Sequence, residues 1–252
     1  MLIGIISDIH GNAHALDAVL GQLDWCGVDL VLCAGDLVCY GAQPNAVIAT
    51  LLERGIPAVM GNYDHAAAWD LPTASRKPSS PRTEPLKQAA LRWTQRVINP
   101  AFKRHLRGLP FAADFRVDGV SIHMVHAGPD HLDDWYTPDV PDDLAHFSAR
   151  VRADVVILGH THQPFVHQGD DLGGERGPIF VNPGAVGRSL DGDRRASCAV
   201  FNTATGHTEL LRVPYDIDAA VAAIRGADMP VEIALLVQNA ARRVEQLDLV
   251  TW

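Results

Sequence analysis

Leu2-Ile3-Gly4-Ile5-Ile6, running directly into Ser7-Asp8-Ile9-His10-Gly11, decides how this chain is read. An apolar run of this length predicts a strand buried on both faces, as in parallel sheets. Its carboxyl end passes at once to polar, chemically competent side chains, the place where open α/β sheets put their ligands. The pattern repeats along the chain. Leu30 to Ala34 delivers Gly35-Asp36, and Ile56 to Met60 delivers Gly61-Asn62-Tyr63-Asp64. Val120 to His126 ends on a histidine, and Val155 to Leu158 delivers Gly159-His160-Thr161-His162.

Between these runs the spacing turns helical. Asn12 suits the cap of a helix carrying Leu16, Val19, Leu20 and Leu23. Pro44 suits the first turn of a second helix, with Gly55 at its end, and a third is predicted around Leu86 to Val97. Asp118-Gly119 between Phe111–Val117 and Val120–His126 is a two-residue hairpin signal. Later runs at Pro164 to His167, Ile179 to Val181, Cys198 to Asn202 and Thr208 to Val213 predict a second sheet, followed by a helical segment over about 216–248. The expected fold is α/β: a four-layer α-β-β-α sandwich of two mixed β-sheets flanked by helices. Residues 70–85, rich in Pro and Ser and carrying Arg76, Lys77 and Arg82, read as a mobile loop.

With 252 residues, 47% of them hydrophobic, one domain spanning 1–252 is expected. No apolar stretch reaches the roughly 18 residues of a membrane span, and the first residues lack a secretory pattern, so a cytoplasmic location is expected. The formal charge of -9 disfavours long nucleic acid as a partner. Cys26, Cys33, Cys39 and Cys198 show no paired zinc spacing and read as free thiols.

Taken singly, the polar clusters mean little, since Asp-x-His triplets and Gly-Asp turns arise by chance. Taken as a series at successive strand ends, Asp8, His10, Asp36, Asn62, His126, His160 and His162 supply a mixed N/O set suited to Mn, Fe, Ni or Zn. The ordered motifs Asp8-Ile9-His10, Gly35-Asp36, Gly61-Asn62-Tyr63-Asp64, His126-Ala127-Gly128 and Gly159-His160-Thr161-His162 resemble those of the calcineurin-like metallophosphoesterase superfamily, in its small single-domain bacterial form. The resemblance runs from Met1 to about Val213.

It implies two divalent metal ions bridged by Asp36, one also held by Asp8, His10 and His162, the other by Asn62, His126 and His160. It further implies hydrolysis of a small-molecule or nucleotide phosphoester, diester or monoester, by in-line attack of a bridging hydroxide. Asn62, Tyr63, Asp64, His65 and Arg188 are the remaining candidates for catalytic roles. Tyr63 is the departure, standing where the family motif places a histidine. Either Tyr63 donates a hydrogen bond to the phosphoryl group, or His65 substitutes from nearby, or Tyr63 only packs over the site. Arg188, in Asn182-Pro183-Gly184-Ala185-Val186-Gly187-Arg188, is a candidate phosphate clamp, and the glycines there would let backbone approach the site or a phosphate. The competing classes are a non-catalytic scaffold of the same fold, as in the retromer subunit, and a nucleotide sensor. A homo-oligomer is left open.

Overall fold

The computed structural model describes residues 1–77, 79–169 and 176–240, with the backbone alone at 141 and 142. The elements in chain order are β1 (Leu2–Ile6), α1 (Ala13–Trp25), β2 (Leu30–Cys33), α2 (Pro44–Glu53), α3 (Asn62–Ala68), α4 (Thr83–Val97), α5 (Pro100–Arg107), β3 (Ala112–Val117), β4 (Val120–Val125), α6 (Pro141–Ser148), β5 (Val155–Ile157), β6 (Phe165–Gln168), β7 (Ile179–Asn182), β8 (Ala196–Asn202), β9 (Thr208–Val213), α7 (Ile217–Gly226) and α8 (Val231–Gln238).

Two mixed sheets result. One runs β2-β1-β8-β9 and the other β3-β4-β5-β7-β6. In the first, β1 pairs parallel with β2 and antiparallel with β8; in the second, β4, β5 and β7 are parallel, with antiparallel strands outside them. The alternation of side chains across each strand explains the layering. Ile3 and Ile5 of β1, Leu32 of β2, Met124 of β4, Val155 and Ile157 of β5 and Phe201 of β8 meet between the sheets. Val156 turns the other way, with Leu158 and Phe180, to pack on Leu144 and Phe147 of α6. The outer face of the first sheet is covered by α1 and α2 through Leu16, Val19, Leu23, Val47 and Ile48, and by α7 and α8 through Val221, Ile224, Ile233 and Leu236. The chain is therefore the expected four-layer α-β-β-α sandwich.

Local signals account for several boundaries. The Asn12 side chain accepts from Ala15 N at 3.1 Å to cap α1, and Pro44 opens α2. Asp118 and Gly119 both adopt positive φ, 50° and 83°, as a tight hairpin turn between β3 and β4 requires. Three expectations need correction. The late strands do not form a sheet of their own: β6 and β7 extend the β3-containing sheet, while β8 inserts beside β1 and carries β9 with it. Hydrophobic runs define strands but not their neighbours, and β1 had an open edge to fill. Ile56 to Met60 contributes one bridge, Cys33 to Ala58, rather than a full strand, and Gly61 caps α3, which begins at Asn62. The third helix begins at Thr83, inside the stretch read as loop. Of the helical segment expected over 216–248, α7 and α8 are described, and its residues 241–248 lie outside the described residues. No helix among the described residues is long and apolar enough to cross a membrane.

Candidate metal centre

The seven candidate donors come from five separate segments and converge at one end of the sandwich. Asp8, His10, Asp36, Asn62, His126 and His162 are all buried. An extended backbone at Asp8 and His10 is the natural expectation for an Asp-x-His pair, but the chain does something else. Asp8 (φ 54°), His10 (49°), Asp36 (56°), His160 (64°) and His162 (58°) all sit in the left-handed region. For non-glycine residues this costs of order 1–3 kcal/mol each, so the surroundings must hold them there. Backbone hydrogen bonds do so: Asp8 N donates to Gly35 O at 2.9 Å, His10 N to Asp36 O at 2.9 Å and Gly11 N to Leu37 O at 2.8 Å. The turn carrying His160 and His162 is tied by buried Asn182, whose Nδ2 donates to Gly159 O at 2.7 Å and to Thr161 Oγ1 at 3.1 Å.

The donors fall into two groups around Asp36. In the first, His162 Nε2 lies 3.2 Å from His10 Nε2 and 3.2 Å from Asp8 Oδ1, and His10 Nε2 is 3.7 Å from Asp36 Oδ2. In the second, Asn62 Oδ1 is 3.1 Å from both His126 Nε2 and His160 Nδ1, and His126 Nε2 is 3.5 Å from the same Asp36 Oδ2. Four ligands at ~2.1 Å from one ion stand ~3.0 to ~3.4 Å apart. Most of these separations match such edges.

The tautomers strengthen the case. His10 Nδ1 faces Val38 O at 3.1 Å, His126 Nδ1 faces Ala34 O at 2.7 Å, and His162 Nδ1 faces Arg188 O. A carbonyl only accepts, so each Nδ1 carries a proton and each ring turns its Nε2 toward the centre as the atom that would coordinate. Asn62 Nδ2 donates to Ala74 O at 2.9 Å, which turns Oδ1, another acceptor, toward the imidazoles. Asp8 Oδ1 is buried with no hydrogen-bond donor. Ligand atoms thus crowd together among buried groups, an arrangement that a cation would satisfy. The residues fit a divalent metal.

Electrostatics single out His10 and His160 from His126. Burial lowers the pKa of His10 to about 4 and of His160 to about 3, so both rings are neutral and ready to coordinate. At His126 burial pushes the same way, but the Asp36 and Asp8 carboxylates outweigh it and hold the ring above its ordinary range. Burial would raise Asp8 and Asp36, yet the facing imidazoles keep both below the usual carboxylate range.

The centre opens into a cleft of about 450 Å³ lined by Asp36, Tyr40, Tyr63, Trp135, His160 and Arg188 among others. Tyr63 OH and Tyr40 OH lie 2.5 Å apart, and the Arg188 guanidinium stacks 4.3 Å above the Tyr40 ring. Burial drives both phenols above their ordinary pKa. Asp64 is placed differently: it is wholly buried, accepting from Leu37 N at 2.8 Å, Val38 N at 3.3 Å and Gly61 N at 3.0 Å. It fastens the Asp36 loop to the start of α3 and does not line the cleft. His65 lies over Trp69, ring centroids 4.9 Å apart, and borders a separate hollow with Leu71 and Phe111. Gly187 does not approach an open phosphate position; a Cβ there would stand 1.8 Å from Ile9 O, so the loop rests on the turn carrying Asp8 and His10.

Sequence reasoning missed Tyr40, Trp135, Asp133 and Asp134. Tyr40 had a signal, since it follows Asp36 within one short loop. The others sit in a polar stretch with no periodicity.

Fold and donor set together define a centre of the metallophosphoesterase kind. The sequence model of the calcineurin-like phosphoesterase superfamily domain matches residues 1–206, and the chain belongs to that family. It is 32% identical over 230 residues to an uncharacterised protein of Methanocaldococcus jannaschii, covering 87% of this chain and 90% of that one. A probable metallophosphoesterase of Methanothermobacter thermautotrophicus is 25% identical over 188 residues, covering 73% and 77%. Among solved structures, a metallophosphoesterase from Sphaerobacter thermophilus superposes with a TM-score of 0.76 at 28% identity, covering 96% of this chain and 99% of that chain.

Proposed function

We propose that this chain is a dinuclear-metal-dependent phosphoester hydrolase acting on a small-molecule or nucleotide phosphoester. The observation that carries the reading is the pair of donor groups that converge on Asp36 Oδ2. Asp8, His10 and His162 would hold one ion, Asn62, His126 and His160 the other, and Asp36 both. Ions of the Mn, Fe, Ni or Zn kind would supply Lewis-acid polarisation of a phosphoryl oxygen and a water of lowered pKa. Arg188, stacked on Tyr40 at the cleft wall, would steady an anionic group beside the centre.

Metal-stripped protein refilled with Mn, Fe, Ni or Zn is expected to hydrolyse bis(p-nitrophenyl) phosphate, p-nitrophenyl phosphate or both. No turnover with two ions bound would overturn the hydrolase reading in favour of a scaffold or sensor.

Tyr63 sets the second expectation. Its hydroxyl is engaged with Tyr40, and burial keeps it protonated, so it is able to donate a hydrogen bond but yields its proton poorly. His65, turned toward Trp69, is not placed to stand in. The enzyme should therefore favour diesters and good leaving groups, with turnover falling steeply as leaving-group pKa rises. Tyr63→His should flatten that dependence and raise alkyl-monoester turnover by ~10-fold or more. Equal wild-type rates across the series at the chemical step would remove this role.

A further inference from the structure

Arg76 lies in the stretch that follows α3, and its cationic neighbours suggest recruitment of anionic substrate. The structure gives it other work. Arg76 Nε donates to Asp133 Oδ1 at 2.5 Å, a terminal guanidinium nitrogen to Asp134 Oδ1 at 2.6 Å, and its backbone N to Asp133 Oδ2 at 2.7 Å. Two carboxylates on one guanidinium leave the trio net negative, which is unsuited to attracting phosphate. An isolated exposed ion pair is worth little, but this is a three-bond network joining two loops that both border the cleft.

Each loop bears on the same donor group. Two residues before Arg76, Ala74 O accepts from Asn62 Nδ2 and so fixes which way the Asn62 oxygen points. On the other loop, Trp135 packs edge-on against His160, with centroids 5.5 Å apart. Asp134 folds back against Gly128, where a Cβ would stand 2.9 Å from Asp134 Cβ and 2.5 Å from Tyr136 Cε2. Gly128 closes the strand-end turn that begins at His126. Asn62, His126 and His160 are thus each reached from the two loops that Arg76 joins. The first group is supported elsewhere, by Val38 O behind His10 and Arg188 O behind His162.

We infer that Arg76 is a positioning residue for the second metal subsite, latching the 73–76 segment to the 130–136 loop so that Asn62, His126 and His160 keep a common focus. This rests on the two-ion reading. Titration calorimetry of metal-stripped protein with Mn(II) or Zn(II) separates the two uptake events, the second assigned by its loss in Asn62→Ala. Arg76→Ala is expected to weaken that event by ~10–100-fold, the usual worth of a residue orienting a ligand. The first event should be essentially unchanged. Arg76→Lys should recover part of the loss. Asp133→Asn with Asp134→Asn should reproduce it without adding to Arg76→Ala. The melting temperature of metal-free Arg76→Ala should stay within ~2 °C of wild type, as for a substitution of a half-exposed side chain. Two wild-type uptake events that persist unaltered in Arg76→Ala would overturn the latch alone. Equal weakening of both events with a lowered metal-free melting temperature would show general scaffolding and overturn it too. Wild-type uptake of fewer than two ions would overturn the two-ion reading, and the latch with it.

Discussion

Asp36→Asn is expected to remove metal-dependent phosphoester turnover almost completely, with a fall of more than ~100-fold, and to cut metal uptake below two ions per chain. Residues that merely orient a ligand are worth ~10–100-fold in affinity or activity, and Asp36 faces both donor groups directly. Its Oδ2 lies 3.7 Å from His10 Nε2 and 3.5 Å from His126 Nε2, while Oδ1 accepts from Tyr63 N at 2.8 Å. An amide can keep the Tyr63 contact but removes the negative charge between the groups. It also removes the attraction to His126, which outweighs the repulsion from Asp8, so the metal-free protein should melt a few degrees lower than wild type. Elemental analysis of refilled protein and turnover of bis(p-nitrophenyl) phosphate read the result. Two bound ions with turnover within tenfold of wild type would refute the bridging assignment.

The largest effect on stability is expected at Gly187. Its missing Cβ would stand 1.8 Å from Ile9 O, 2.6 Å from Ile9 C and 2.9 Å from Asn12 Cβ. Backbone is the obstacle, so no side-chain rotation relieves the clash. The approach is also bonded, Gly187 N donating to Asp8 O at 3.0 Å and Asn12 Nδ2 to Gly187 O at 3.0 Å. Gly187→Ala must lift the loop as a unit from the Asp8–His10 turn. Overpacking typically costs ~1–3 kcal/mol and more against immobile atoms, so a loss of ~3 kcal/mol or more is expected. That corresponds to a melting temperature lower by ~6 °C or more in a protein of this size. Gly192→Ala is the control: φ is 86° there, but nothing lies within 4 Å, so only backbone strain of ~1 kcal/mol is incurred. Equal melting temperatures for the two variants in a thermal scan would count against the close-packed loop.

Much of this was legible beforehand, and for identifiable reasons. The strands β1, β2 and β5 announce themselves as apolar runs because their side chains pack on both faces, and Asp118-Gly119 marks its hairpin because few other residues tolerate that turn. The donors were legible because each follows such a run. What was not legible depends on contacts between distant segments. The placement of β8 beside β1 is decided by which edge is open. The left-handed backbone at Asp8, His10, Asp36, His160 and His162 runs against residue preference and is enforced by hydrogen bonds from other loops. Asp64 looks like a catalytic carboxylate in the motif and is instead held by backbone N–H groups of two segments. Nothing local distinguishes those cases.

The strand order bears on how the molecule is assembled. β1 holds an interior position in its sheet, and its second neighbour, β8, is contributed by Ala196–Asn202. During synthesis, then, β1 waits with one edge unpaired while nearly two hundred residues are added, a high-contact-order arrangement that folds slowly. Asp8 and His10 leave the ribosome early but acquire their left-handed shape only when Gly35, Asp36 and the 182–188 loop close around them. A nascent chain therefore has its early donors in place only after the 182–188 loop has closed on them.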